Sequence, residues 1–115
     1  MPRNTRPISW IKAARKDFEE FPTGAQVEMA RALTILAEGR FPDTAKHLTG
    51  FGSGVMELAL RYRGDAFRVV YALQIGDDIW VIHAFQKKSK SGIKTPRQEI
   101  DMIRDRLKRL RETLQ

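Results

Sequence analysis

The sequence contains no cysteine at all and only two histidines. The first absence excludes disulfides, a thiolate nucleophile and a cysteine-ligated zinc site, and with so few imidazoles and no carboxylate motif a dedicated metal site is not expected. Any catalysis is therefore expected to run on the chain's own side chains, without a metal or a small-molecule cofactor. Long apolar runs are also missing, and the basic start Met1-Pro2-Arg3-Asn4-Thr5-Arg6 leads directly into Pro7-Ile8-Ser9-Trp10 without an apolar signal segment. No membrane association and a cytoplasmic address are the expectations. No internal repeat, low-complexity tract or linker divides the chain, so its 115 residues are read as one domain, 1–115, with a single core.

What the sequence does have is positive charge, unevenly placed. Its net charge is +7, of which +6 falls between Lys87 and Gln115. A basic end of this kind suits a polyanionic partner: nucleic acid, an acidic protein segment or an anionic surface. A solvated, solubilising face is the plain alternative.

Periodicity predicts the elements. Ile8 and Trp10 open as a strand, then Ile11, Ala14, Phe18 and Phe21 recur at helical spacing until Pro22 interrupts. Thr23 and Gln26 read as a capping box for a second helix, whose apolar stripe is Met29, Ala30, Leu33, Leu36 and Ala37 and which ends before Gly39. The turn formers between Arg40 and Gly54 predict a loop. Three strands follow, Val55–Tyr62, Ala66–Ile75 and Ile79–Phe85, joined at Arg63-Gly64-Asp65 and Gly76-Asp77-Asp78. The third is apolar at nearly every position and is expected to be central, covered on both faces. Thr95 as N-cap, Pro96 at the first helical position and Gln98 closing the box predict a last helix, with Ile100, Ile103, Leu107, Leu110 and Leu114 inward and a basic outer face. The fold class is α+β, in the order β-α-α-β-β-β-α, an antiparallel-dominated sheet against helices.

Four features could carry chemistry. Arg68, inside Phe67-Arg68-Val69-Val70-Tyr71, is a guanidinium on an apolar strand and needs an anion. Strand alternation puts Glu57 and Arg61 on one face, opposite Met56, Leu58 and Leu60, so Glu57, Arg61 and Arg68 can share a face. A purely structural Glu57–Arg68 ion pair explains the same residues. Lys87, Lys88, Lys90 and Lys94, around Ser89, crowd ammonium groups at a strand end and would attract phosphate, although such lysines also guard sheet edges. His83 sits in the most apolar strand and reads as a hydrogen-bonded core imidazole before a general base; His47 reads as a solvated loop residue. Gly50-Phe51-Gly52-Ser53-Gly54 precedes a strand, not a helix, and is a turn rather than a phosphate cradle. Trp10, Trp80, Phe18, Phe67 and Phe85 read as core.

Taken together, Lys46-His47-Leu48, Gly54-Val55-Met56-Glu57-Leu58, Asp65-Ala66-Phe67-Arg68-Val69-Val70-Tyr71, His83-Ala84-Phe85-Gln86-Lys87-Lys88-Ser89 and Thr95-Pro96 resemble the phage-related, HigB-like branch of the RelE/ParE toxin superfamily. The resemblance runs from about Ile8 to Leu110. It implies the RelE-like fold and a ribosome-dependent endoribonuclease that cuts messenger RNA on the ribosome and is held inactive by a cognate antitoxin. In such toxins the RNA's own 2′-hydroxyl attacks the neighbouring phosphate. Carried onto this sequence, Arg68 would bind that phosphate, Lys87 and Lys88 would neutralise the transition state, and Glu57 would orient Arg68 or act as base. Arg61, Lys46, Lys90 and Lys94 would bind RNA. Relatives in the superfamily place a Tyr or His near the end of the last strand where this chain has Phe85, which leaves Tyr62, Tyr71 and His83 as candidates for proton transfer. Two other readings stand beside it: a ParE-like gyrase inhibitor on the same fold, and a non-enzymatic nucleic-acid-binding module.

Overall fold

The computed structural model describes residues 5–87 and 95–114. Lys88, Ser89, Lys90 and Lys94 lie outside the described residues. In chain order the elements are β1 (Ile8–Trp10), α1 (Lys12–Glu19), α2 (Thr23–Ala37), β2 (Ala45–His47), β3 (Val55–Tyr62), β4 (Asp65–Ala72), β5 (Ile79–Lys87) and α3 (Arg97–Thr113). The α+β expectation holds, with one strand more than expected: β2 forms inside the Arg40–Gly54 connection and carries His47, which is exposed on a strand rather than in a loop. Three residues amid turn formers carry no period of their own. Pairing with β3, Lys46 opposite Glu57, defines the strand.

The five strands form one sheet in the order β1-β5-β4-β3-β2. β1 runs parallel to β5, and the other pairs are antiparallel. The β3–β4 hairpin closes on Arg63 and Gly64, at φ 51° and 86°, between the paired residues Tyr62 and Asp65. Two successive left-handed residues match the right-handed twist of the strands, which is why Gly is placed there. β4 ends at Ala72, short of the expected Ile75.

Each face of the sheet buries its own cluster. On one side α1 and α2 bring Ala14, Phe18, Met29 and Leu33 onto Met56, Leu58, Phe67, Val69, Tyr71 and Val81. On the other, α3 lays Ile103, Leu107 and Leu110 onto Val55, Val70, Ile82 and Phe85. Truncating Leu107 to alanine would cost about 2–5 kcal/mol. β5 is covered on both faces, as its composition predicts, but the middle strand is β4: β5 lies next to the short edge strand β1, which pairs only with Ile79–Val81. Leu114 is 45% exposed and lies past the buried stripe.

The helix ends correct three expectations. Pro22 and Pro96 occupy the N-cap positions of α2 and α3 with extended backbone (ψ 146° in each), and neither helix has a side-chain cap. Proline's fixed φ favours that extended conformation, so Thr23 opens α2 instead of capping it and Thr95 lies outside α3. The Gln26 amide donates backwards to the carbonyls of Glu19 and Phe21, fastening α1 to α2. The buried stripe of α2 is Ala25, Met29, Ala32, Leu33 and Leu36, while Ala30 faces solvent. At the other end, Gly39 N–H bonds Leu36 O and Arg40 N–H bonds Ile35 O, with Gly39 at φ 85°. That is the Schellman pattern, and the expected stop before Gly39 follows from it.

Candidate RNA-processing site

The register builds a lattice of side chains on the α3 side of the sheet. One row across the strands is Lys46, Glu57, Val70 and His83; the next is Ala59, Arg68 and Phe85; the third is Arg61, Ala66 and Lys87. Arg68 is thus a diagonal neighbour of both Glu57 and Lys87, within reach of long side chains. Ala59 and Ala66 have only methyl groups, which keeps the floor low between the charged residues.

Arg68 Nη1 donates to Glu57 Oε1 at 2.9 Å, and the same oxygen receives Lys46 Nζ at 3.3 Å. Glu57 is 3% exposed and the Arg68 side chain 13%, so the pair is largely withdrawn from water. A carboxylate held between two cations fixes the guanidinium's orientation. Two polar atoms of this pair remain without a hydrogen-bond partner, Glu57 Oε2 and Arg68 Nε. Buried groups in this state are uncommon, and functional sites are one place where they occur. Lys87 is buried as well, and its side chain makes no hydrogen bond or ion pair with another described residue. Burial, then the positive charge of Arg68, lowers its pKa below the usual lysine value of 10.5; Glu57 opposes this and Lys46 adds to it. An ammonium in this setting gives up its proton more readily and gains from the arrival of an anion.

The other expected residues separate. Arg61 lies on the same face, two residues beyond Ala59, and is exposed. Tyr71 is fully buried on the opposite face among the α1–α2 cluster. Its hydroxyl has no partner, and burial pushes its pKa up to about 12. Tyr62 also packs towards that cluster, beneath Gly24 of α2. Neither tyrosine shares the Glu57–Arg68 face.

His83 belongs to a second network that the sequence does not reveal. Between Val70 and Tyr71 of β4 the partner strand skips Ile82, a bulge that turns His83 towards α3. There Arg106 Nη1 lies 2.7 Å from His83 Nδ1, and Glu99 Oε1 lies 2.6 Å from Nε2. A guanidinium only donates, so Nδ1 is the acceptor and the imidazole proton resides on Nε2, donated to Glu99. Arg106 also reaches Asp17 of α1 at 3.1 Å and the Ile82 carbonyl at 3.2 Å. Burial is the leading cause that holds the His83 pKa below the ordinary imidazole value; the Glu99 hydrogen bond opposes it. The ring stacks on Phe85 at 5.4 Å. Its apolar strand signals that His83 needs partners, but Asp17, Glu99 and Arg106 come from distant segments.

The sequence model of the phage derived protein Gp49-like family (DUF891) matches residues 16–108, most of the chain and the whole of this lattice. The protein belongs to the Gp49-like family. Gp49-like proteins are a family of RelE-like toxins, and the chain accordingly falls within the RelE/ParE-type toxin superfamily. No curated protein matches it. Among solved structures it is similar to a mutant of the E. coli toxin RelE in the free state, with a TM-score of 0.62 at 14% identity over 91% of this chain and 97% of that one. At that identity the likeness is one of fold: the Gp49-like chain has the RelE fold. No described helix is long and apolar enough to cross a membrane.

Proposed function

We propose that this Gp49-like chain is the HigB-like toxin of a toxin–antitoxin pair, a ribosome-dependent endoribonuclease that cuts messenger RNA and is restrained by a cognate antitoxin. The observation that carries the reading is a guanidinium largely withdrawn from water, clamped at one nitrogen by Glu57 and unpartnered at Nε, beside a buried Lys87 that has no ion-pair partner among the described residues. Two desolvated cations left short of anion on one face suit a phosphodiester, whose charge grows in the transition state.

In the reaction the ribose 2′-hydroxyl oxygen bonds to the adjacent phosphorus and the bond to the 5′-oxygen breaks, leaving a cyclic phosphate and a 5′-hydroxyl. The protein supplies position, charge and proton transfer. Arg68 binds a non-bridging oxygen; Glu57 holds Arg68 and Lys46 through Oε1, and its free Oε2 is the base available on this face. Lys87, with its lowered pKa, stabilises the departing oxyanion and is suited to protonate it. Lys88 adds charge, and Arg61, Lys46, Lys90 and Lys94 extend the RNA contacts. The antitoxin covers Arg68 and the Lys87–Lys90 rim.

The test maps 5′ ends of cellular messenger RNA after brief induction of the wild type and of Arg68→Ala. Cuts within translated frames that vanish in the variant support the reading. Growth arrest without cuts, accompanied by loss of gyrase supercoiling, would assign the chain to the ParE-like inhibitors; salt-sensitive binding that leaves RNA intact would make it a binding module.

A further inference from the structure

The charges of α3 sort by face. Arg97 pairs with Asp101, Arg109 with Asp105, and Arg106 is taken up by Asp17 and His83. Arg104, Lys108 and Arg111 have no carboxylate partner among the described residues, and their spacing of four and three places them on one face of the helix. They border a single shallow depression of about 360 Å³ with Phe51 and Leu107, in which Glu112 is the one carboxylate against three cations. The depression lies where the 50–52 loop docks on α3. The Arg104 guanidinium stands 5.4 Å over the Phe51 ring and reaches Gly50 O at 3.5 Å, while Arg111 reaches Phe51 O at the same distance. An aromatic ring and two long carbonyl contacts orient the guanidinium groups and leave most of their five donors free.

The loop that carries Phe51 is the link from β2 to β3, so it starts just beyond Lys46, which contacts Glu57. The α3 face that buries Ile103 and Leu107 lies on the same side of the sheet as Arg68. The Glu57–Arg68 centre and the basic strip of α3 therefore share one side of the sheet.

We propose that Arg104, Lys108 and Arg111 form a second phosphate-binding strip, which holds the sugar–phosphate backbone of RNA away from the cleaved bond. The inference rests on the RNA-processing reading above. RNA is favoured over an acidic protein segment because the strip presents three cations in a row without a carboxylate partner among the described residues, and the step of about 6 Å along the helix from Arg104 to Lys108 is on the scale of the spacing of neighbouring phosphates.

The experiment measures binding of a 2′-O-methylated, uncleavable single-stranded RNA by fluorescence anisotropy across salt concentrations. Each phosphate contact contributes about 0.7 to the slope of log affinity against log salt. The triple variant Arg104→Gln, Lys108→Gln, Arg111→Gln is expected to lower that slope by about 2. Lys108→Gln, which disturbs no contact with the 50–52 loop, is expected to lower it by about 0.7 and guards against a folding defect in the triple variant. Replacing both arginines by lysine should preserve the slope. Unchanged slopes in both glutamine variants would overturn the proposal, as would a triple variant that binds RNA normally but loses binding to an acidic antitoxin peptide. Because the probe cannot be cut, absence of cellular cleavage by the wild type would sink the nuclease reading without touching this result.

Discussion

Glu57 Oε1 is shared by two cations of unequal exposure, Arg68 at 2.9 Å and Lys46 at 3.3 Å, and only the first contact is buried. The two contacts are therefore unequal in energy. Removing one partner of a buried ion pair costs about 3–5 kcal/mol, because the other charge is stranded. An exposed pair contributes about 0–1 kcal/mol. Glu57→Ala and Arg68→Ala should each lower unfolding stability by about 3 kcal/mol, the double variant by much less than the sum, and Lys46→Ala by under about 1 kcal/mol. Urea melts of the four variants check this; additive losses at Glu57 and Arg68 would mean that the pair does not act as a unit.

Lys87 gives the proposed nuclease a pH signature. Its pKa is lowered, so its ammonium deprotonates at a pH below the usual 10.5. If the ammonium serves the transition state, cleavage must fall as pH rises through that lowered value. Lys87→Arg keeps a charge that survives throughout this range and should carry activity to higher pH, although with a lower maximum because arginine gives up no proton. Single-turnover rates on ribosome-bound messenger RNA between pH 6 and about pH 10 decide the matter. An alkaline limb that stays in place in Lys87→Arg would assign it to another group.

Much of this centre was legible because strand alternation is a local rule. Met56 and Leu58 face one way and Glu57 the other in the sequence as in the sheet, and a charged residue at position 68 of an apolar strand stands out. Two kinds of feature were not legible. β2 is a strand only because β3 lies beside it, and the bulge at Ile82 that redirects His83 arises from a register shift between β4 and β5. Both are properties of pairing between segments, to which a periodicity within one segment is blind. The helix starts show a different conflict: two local rules, threonine as cap and proline inside the first turn, competed with proline's extended backbone, and the backbone prevailed at Pro22 and Pro96.

Tyr71 offers a way to exclude a residue. Its hydroxyl is buried without a partner on the face away from Arg68, an arrangement that destabilises the fold by about 1–3 kcal/mol relative to a satisfied group. Tyr71→Phe removes the stranded hydroxyl while keeping the ring, so stability should be unchanged or rise by about 1 kcal/mol, and the messenger RNA cuts should persist. Loss of cleavage in a variant that melts like the wild type would return Tyr71 to the reaction.

His83 should make stability depend on pH in a way that a second variant isolates. Its folded pKa is depressed, so as pH falls the unfolded chain takes up the proton first, near the ordinary imidazole value of 6.5. Stability is therefore complete above about pH 6.5 and declines as pH drops towards the lower folded value, at about 1.4 kcal/mol per unit of depression. Protonation would place an N–H on Nδ1 facing Arg106, a donor against a donor, and would loosen the joint between β5, α1 and α3. Carboxylates add their own loss at lower pH, so the comparison is with His83→Gln, which has no imidazole to titrate. That variant should be less stable at pH 7.5 by about 2 kcal/mol, since Arg106 and Glu99 lose well-placed partners, yet flatter between pH 7 and about pH 5.5. Parallel curves for the two proteins would show that His83 takes up its proton equally in the folded and the unfolded chain, and its pKa would then not be depressed by folding.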